Sequence, residues 1–439
     1  MANLDDGFRR FVDRNPTPRT IYGLMLLFAL LLLTDGYNVQ SIGYVAPALV
    51  KAWGLNKAAM GPVFSMGLIG IMVGAMIMTP VADRLGARRV LLACTAAYSL
   101  LTLATAYVHG IQALMIMRLL SGAVLGAVMP NAIALMSDYA PSRLRNTMVT
   151  VVMCGFSLGG GLGGVVAALA IQNFGWPAVF FVGAAAPLLL LLPLLILLPE
   201  SVGRILSGKA GPADLRRFER LVPGYAASPE ALAPPAPHAG AAGHGPIRGL
   251  FANGMWSATA LMWAVFFLNL LMLFTLTSWL PTIITASGLS LQFANLATSG
   301  YQFAGIPGAV AIALLCDRWG ARRVLPIMFL GAASALFLLG AAGANPLLIA
   351  TATAAAGVCV VGGQNAVNAF ASGFYPSAMR ATGVGWALGV GRLGSILGPL
   401  VAGELIKVGA RPSTLFQLCA IAGLIAAAAM AVVARRQPQ

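Results

Sequence analysis

The sequence predicts an all-α polytopic membrane protein with twelve transmembrane helices, arranged as two pseudo-symmetric six-helix bundles. Three observations predict this class: a low charged fraction, a series of long apolar runs and an internal repeat. Hydrophobic residues make up 59% of the 439 and charged residues 9%, and the mean hydropathy is +0.86. A soluble domain carries about 25% charged residues, so most of this chain must face lipid or other buried helices.

Twelve apolar runs reach the length of about 20 residues that a helix needs to cross a hydrocarbon core. They fall at 21–50, 60–80, 90–108, 112–137, 146–171, 175–198, 257–286, 293–315, 324–343, 346–372, 381–408 and 413–434. The predicted domains are an N-terminal arm at 1–20, an N-terminal bundle at 21–200, a partly helical linker at 201–256, a C-terminal bundle at 257–434 and a tail at 435–439.

The net charge of +15 indicates membrane topology rather than a nucleic-acid partner. Of the 27 Lys and Arg residues, 21 fall in the arm, alternate loops, linker and tail, whereas the opposite loops hold Lys51, Lys57, Lys407 and Arg411. Positive residues accumulate in cytoplasmic loops, so we expect both termini and the linker in the cytoplasm. The sequence shows no cluster with metal-ligand spacing and no nucleophile–base pair. We therefore expect no cofactor, no metal and no enzyme activity.

The two halves repeat one another. Residues 83–89 read DRLGARR and residues 317–323 read DRWGARR, and Pro47 and Pro281 align in the same register. Such a duplication is typical of transporters in which two bundles rock about a central site.

Both loops resemble the D-R-x-G-x-R-R signature of the major facilitator superfamily. Residues 35–49, 198–201 and 374–403 are similar to the aromatic acid:proton symporters, the group of 4-hydroxybenzoate, protocatechuate and benzoate permeases. This resemblance implies a major facilitator fold in the inner membrane of a bacterium. It also implies import of an aromatic carboxylate together with protons by a monomer in the lipid bilayer.

The resemblance further implies a cytoplasmic gate in the two signature loops. Its contacts are expected to form when the protein is open to the outside, with Arg84 or Arg88 pairing with Asp138. The second copy has Gly373 where the first has Asp138, so we expect unequal gates. The predicted gate residues are Asp83, Arg84, Gly86, Arg88, Arg89, Asp138, Asp317, Arg318, Arg322 and Arg323.

Charged residues inside spans cost about 2.5–3.5 kcal/mol each on insertion scales, so those present are candidates for function. Asp35 in span 1 and Arg118 in span 4 fall at similar depth at 1.5 Å per residue. We expect them to couple: an anionic substrate that takes Arg118 releases Asp35 to bind a proton. The alternative is a permanent ion pair. Glu404 is a further proton-coupling candidate, or part of an outer-surface salt bridge or gate, because it lies close to Lys407 and Arg411.

A guanidinium can hold a carboxylate through two hydrogen bonds, and aromatic side chains can stack on a ring. The predicted substrate-binding residues are Arg118, Arg392, Tyr37, Asn38, Asn269, Gln302, Gln364, Asn365, Asn368 and Trp386. The related symporters carry D-G-x-D in span 1, whereas this chain has Asn38 at the last position, which favours one titrating group in this motif. Two other functions fit the pattern: a symporter for a non-aromatic organic acid or sugar acid, and a non-transporting sensor.

Overall fold

The computed structural model describes residues 2–208, 210–225, 256–375 and 380–435. Within these ranges, the side chains of residues 2–6, 79, 83, 372, 380–381, 412 and 434–435 lie outside the description. The second part of the predicted linker, from 226 to 255, and most of the tail are therefore not covered.

The described chain is helical. The N-terminal half contains α1 (Ala2–Arg14), α2 (Arg19–Trp53), α3 (Met60–Leu85), α4 (Ala87–Thr105), α5 (Ile111–Leu125), α6 (Val128–Tyr139), α7 (Arg145–Phe174) and α8 (Pro177–Leu197). Two short helices follow in the linker, α9 (Val202–Leu206) and α10 (Pro212–Leu221). The C-terminal half contains α11 (Trp256–Ala286), α12 (Leu291–Trp319), α13 (Ala321–Ala341), α14 (Pro346–Phe374), α15 (Arg380–Lys407) and α16 (Pro412–Arg435).

Twelve spans of the described chain are long and apolar enough to cross a membrane, which confirms the predicted fold class. The fourth span is divided into α5 and α6 at Gly126 and Ala127. Pro130 lies in the first turn of α6 and has no backbone N–H to donate to the preceding turn, so a continuous helix loses a hydrogen bond there. The apolar run at 112–137 predicts a single helix here, and the break corrects that expectation.

The two halves are built alike. In the first, α2 packs on α7 and α3 on α5; in the second, α11 packs on α15 and α12 on α14. Glycines allow these close contacts: Gly74 abuts the backbone of Ala123, and Gly357 abuts the backbone of Tyr301. Small residues at such crossings let membrane helices approach closely.

Two sides of the bundle are distinguished here. The arm side is the side where α2 begins and α1 lies, and the far side is the side where α2 ends at Trp53. The halves meet on the far side. There Gly61 and Gly403 pack against each other, Ser65 Oγ donates to the carbonyl of Ile396 over 2.8 Å, and the rings of Phe64 and Trp279 meet edge-on at 5.2 Å.

The arm and the linker cover the N-terminal half on the arm side. Phe8 of α1 is buried and packs with Tyr139, Phe218 and Tyr225 at centroid distances of 5.3–6.1 Å. Asp13 accepts from the backbone N–H of Ser142 at 2.6 Å. The N-terminal arm therefore contains an amphipathic helix that docks through its apolar face.

The close approach of α12 and α14 gives a matched test of packing. A Cβ at Gly308 would lie 2.8 Å from the Cα of Val358, whereas a Cβ at Gly300 on the same helix meets no atom within 4 Å. Overpacking costs about 1–3 kcal/mol, so Gly308→Ala is expected to lower the melting temperature of the purified protein, with Gly300→Ala as the control. Equal melting temperatures for the two variants would contradict this packing.

Candidate functional site

A cavity of about 370 Å³ lies between the two halves. It extends from the far-side contact region toward the arm side, and its size is within the range of about 300–1,000 Å³ found for small-molecule sites. Its walls are mainly apolar, with a few polar groups pointing inward. The polar lining residues are Asp35, Gln40, Ser157, Gln302, Gln364, Asn365, Asn368 and Arg392.

Asp35 of α2 and Arg392 of α15 bring one negative and one positive charge into this cavity from opposite halves. They interact electrostatically. Among the described residues, neither the Asp35 carboxylate nor the Arg392 guanidinium has a hydrogen-bond partner in the protein. Both groups can therefore bind ligands from the cavity without first giving up a hydrogen bond.

Amide side chains form the polar part of the C-terminal wall. Asn269 Nδ2 donates to Gln364 Oε1 at 2.7 Å, and Gln364 Nε2 donates to Asn368 Oδ1 at 3.1 Å. Asn269 is fully buried behind Gln364, so it orients the lining residue and does not itself reach the cavity. Gln302 and Asn365, two of the residues predicted to bind substrate, also line the cavity.

The aromatic lining differs from the prediction. Phe156 of α7 and Phe274 of α11 lie in the cavity wall. Tyr37 faces α8 instead, where its hydroxyl donates to the carbonyl of Val179 at 2.8 Å. Trp386 stacks on Trp263 at 5.7 Å and is 45% exposed on the protein surface. Sequence spacing gives the depth of these residues but not the helix face on which each one lies.

Asn38 is also directed away from the cavity. Its Nδ2 donates to the carbonyls of Thr34 and Gly183, both at 2.9 Å, and thereby ties α2 to α8. The structure thus places Asn38 in a helix–helix joint and not among the lining residues.

Arg118 lies outside the main cavity, beside a second cavity of about 20 Å³ toward the far side. Its Nη2 donates to the carbonyls of Asn38 at 3.2 Å and Val39 at 3.4 Å. The cation that interacts with Asp35 is Arg392, from the opposite half, and Arg118 forms no ion pair among the described residues. The predicted partner of Asp35 is corrected accordingly, because equal depth did not bring Arg118 and Asp35 onto facing sides.

Glu404 lies at the far-side end of α15, outside the cavity. Its side chain is 61% exposed and lies 3.3 Å from Lys407 Nζ. The structure therefore matches the surface salt bridge that the sequence offered as the alternative, and does not bring Glu404 into the cavity.

The first signature loop is held by the chain that follows α8. Arg88 Nε donates to the carbonyl of Leu198 at 2.8 Å and Arg88 Nη2 to that of Leu195 at 2.9 Å, which satisfies acceptors that a helix end leaves free. The buried Glu200 carboxylate accepts from the backbone N–H of Arg88 at 3.3 Å. Asp214 lies 3.9 Å from Arg88.

Other residues of this loop have different surroundings. The carbonyl of Arg84 accepts from Arg204 Nη1 at 2.9 Å, and Arg89 is exposed. Asp138 is half-buried at the arm-side end of α6. The Asp83 side chain lies outside the described residues. The pairing of Arg84 or Arg88 with Asp138 stays a prediction.

The second signature loop is more exposed to solvent. Its side chains are exposed, namely those of Asp317, Arg318, Arg322 and Arg323. The surroundings of the two loops differ because Glu200 and the linker helices cover the first loop. The unequal gates expected from Asp138 and Gly373 stay a prediction.

Three groups of residues were missed by sequence reasoning. Gln40 follows Asp35 on α2 and was detectable as a polar residue inside a span. Phe156 and Phe274 carry no sequence signal that separates them from lipid-facing phenylalanines. Glu200 lies within residues 198–201, a segment quoted for its family resemblance without a role.

The paired glycines of the two loops test the contact with Glu200. Gly86 and Gly320 both have positive φ, 105° and 82°, where an alanine costs about 1–3 kcal/mol. The Glu200 carboxylate occupies the space that a Cβ at Gly86 needs, whereas nothing lies within 4 Å at Gly320. Gly86→Ala is therefore expected to lower the melting temperature more than Gly320→Ala. Adding Glu200→Ala to both variants should reduce the difference between their melting temperatures. If that difference persists unchanged, it comes from backbone strain alone.

Comparisons with known proteins identify the family. The Major Facilitator Superfamily model matches residues 26–294 and 262–439. The chain is 38% identical to the gallate transporter of Pseudomonas putida over 97% of this chain and 94% of that protein. It is 37% identical to the 4-hydroxybenzoate transporter PcaK of Pseudomonas aeruginosa, over 91% of this chain and 89% of that protein.

Among solved structures, the crystal structure of a D-xylose–proton symporter aligns with a TM-score of 0.72 at 17% identity, covering 93% of this chain and 97% of that one. This likeness establishes the shared fold, and the relatives are transporters rather than enzymes. Both resemblances drawn from the sequence are confirmed: the chain belongs to the Major Facilitator Superfamily and, within it, to the group of the gallate and 4-hydroxybenzoate transporters.

Proposed function

We propose that this protein is a proton-coupled symporter that imports an aromatic carboxylate of the hydroxybenzoate type by alternating access. The observation that carries the proposal is the pair Asp35 and Arg392, which face one ligand-sized cavity from opposite halves. The names of its relatives, gallate and 4-hydroxybenzoate transporters, support the substrate class.

In this proposal Arg392 binds the substrate carboxylate. Its guanidinium has the planar donor arrangement that suits a carboxylate, and no described protein group occupies those donors. The aromatic ring of the substrate then lies against Phe274 and Phe156, and the amides of Gln364 and Asn368 offer hydrogen bonds to ring hydroxyls.

Coupling follows from charge balance in the cavity. The empty site is neutral because Asp35 balances Arg392. With one carboxylate and one proton bound, the site is neutral again. Binding either ligand alone leaves a net charge, and moving an unbalanced charge through an apolar interior is costly. The two halves therefore rock most readily when the site is in one of these two neutral states.

The proposed orientation places the arm side in the cytoplasm of a bacterium, with the linker and both termini, because that side holds most of the Lys and Arg residues. The protein acts as a monomer in this proposal, since each chain provides both halves of the cavity. The structure, closed on the far side, then corresponds to a state that faces the cytoplasm.

Replacing Asp35 by Asn tests the coupling. The substrate-loaded site of this variant is neutral without a proton, whereas the empty site carries the charge of Arg392. We expect exchange of labelled for unlabelled substrate to persist and accumulation driven by a pH gradient to be lost, both measured in proteoliposomes. Glu219→Gln, the same change at an exposed residue of α10, is the control. Full accumulation by Asp35→Asn would refute the proposed coupling.

Phe274 tests the aromatic preference. Aromatic contacts add about 0.5–1.5 kcal/mol beyond area burial, so Phe274→Leu is expected to reduce by about two- to tenfold the preference for benzoate over cyclohexanecarboxylate. Competition of both acids against labelled 4-hydroxybenzoate uptake measures the preference. Phe181→Leu, at a residue 40% exposed on α8, is the control. If the ratio of benzoate to cyclohexanecarboxylate competition is unchanged, Phe274 does not contact the substrate ring. Better competition by a non-aromatic dicarboxylate such as succinate would contradict the substrate class.

A further inference from the structure

Arg118 is a buried cation whose charge the site described above does not use. It is 7% exposed, and its Nε has no hydrogen-bond partner. The contacts of its Nη2 are two backbone carbonyls of α2. Carbonyl dipoles compensate a buried guanidinium less well than an anion does, so this site favours an anionic ligand.

The space beside Arg118 has the features of a binding site for an anion. Gly67 faces the guanidinium, and a Cβ there would lie 3.6 Å from Nε. The small cavity at this point is also lined by Thr277 and Ser278 of α11, whose hydroxyls are donors suited to a carboxylate. With the far side closed, about 20 Å³ of this cavity remains, which is too small for a benzoate.

A polar pair separates this cavity from the main one. Gln302 Nε2 of α12 donates to Gln40 Oε1 of α2, and it also lies 3.4 Å from Thr277 Oγ1. Gln40 lines both cavities. The pair joins one residue of each half, so it must break when the halves separate on the far side.

We propose that Arg118 is a second carboxylate-binding site, which holds the substrate when the protein is open to the far side and passes it to Arg392 as the far side closes. The inference rests on the proposed function. The carbonyls that hold Arg118 belong to its own half, so it keeps its place as the halves rock. Arg392 belongs to the other half, and the carboxylate therefore moves from a cation of the first half to a cation of the second.

The order of events follows from the geometry. Opening on the far side separates Thr277 and Gln302 from Gln40 and connects the small cavity to the outside. Closing brings the halves together again, reduces the volume beside Arg118 and expels the ligand past Gln40 toward Arg392 and Asp35. The purely structural alternative is that Arg118 braces α5 against the carbonyls of α2 and never contacts the substrate.

Transport measured separately from each side of the membrane distinguishes a substrate-binding role of Arg118 from a purely structural one. The probe is labelled 4-hydroxybenzoate, and its half-saturation concentration is measured for entry from each side, in right-side-out and inside-out membrane vesicles. Arg118→Gln is expected to raise the half-saturation concentration for entry from the far side at least tenfold, and that for entry from the arm side much less. Arg392→Gln is expected to raise the arm-side value more than the far-side value. Lys407→Gln, which removes an exposed cation from α15, is the control.

The outcomes separate cleanly. Equal shifts on both sides for Arg118→Gln would overturn the two-site inference in favour of one shared site. A lower melting temperature and maximal rate with unchanged half-saturation would assign Arg118 to bracing alone. If Arg118→Gln does not reach the membrane, Arg118→Lys takes its place: it keeps the charge but loses the planar donors, so a smaller shift confined to the far side is expected, and equal shifts or none would overturn the inference. Absence of uptake by the parent protein would instead refute the proposed function.

Discussion

Charge neutrality inside an apolar bundle is the constraint on which the rest of this structure depends. A charged side chain in a membrane span must be balanced, hydrated or functional. The described spans carry few such groups in their interior, and Asp35 and Arg392 balance one another across the cavity from opposite halves. Each half therefore contributes one charge to a cavity that neither half can form alone.

The duplicated scaffold and the unduplicated site have different physical requirements. Close packing needs small residues at repeated crossings, so Gly74 in one half and Gly357 in the other serve similar purposes. The charged residues of the cavity are not repeated between the halves. Asp35 occurs in the first half and Arg392 in the second, so the two halves contribute different groups to the cavity. The same holds at the arm side, where Glu200 and the linker helices cover the loop of one half and leave its counterpart exposed.

The fold was predictable because its signal is long-range and redundant. Twelve apolar runs and a repeated loop leave few arrangements, and the span bounds differ from the helices by a few residues, apart from the break before Pro130. The membership of the site was predictable in part. Rarity of polar residues within spans identified Asp35, Arg392 and Gln364, because burying them without a role is costly.

The pairing within the site was not predictable by the same means. A rise of 1.5 Å per residue gives depth, and depth placed Arg118 level with Asp35. Depth contains no information on the direction in which a side chain points from its helix. That direction brings Asp35 to the same cavity as Arg392. Tyr37 and Trp386 were misplaced for the same reason, whereas Phe274 was overlooked because phenylalanine is common on every face of a membrane helix.

The joint formed by Asn38 has one further consequence. An amide makes the same two hydrogen bonds to Thr34 and Gly183 at any acidity, because it has no proton to gain or lose. A carboxylic acid at this position could donate one of these bonds in its protonated form and would repel both carbonyls once ionised. With Asn38 in place, the side-chain hydrogen bonds that join α2 to α8 are therefore independent of pH.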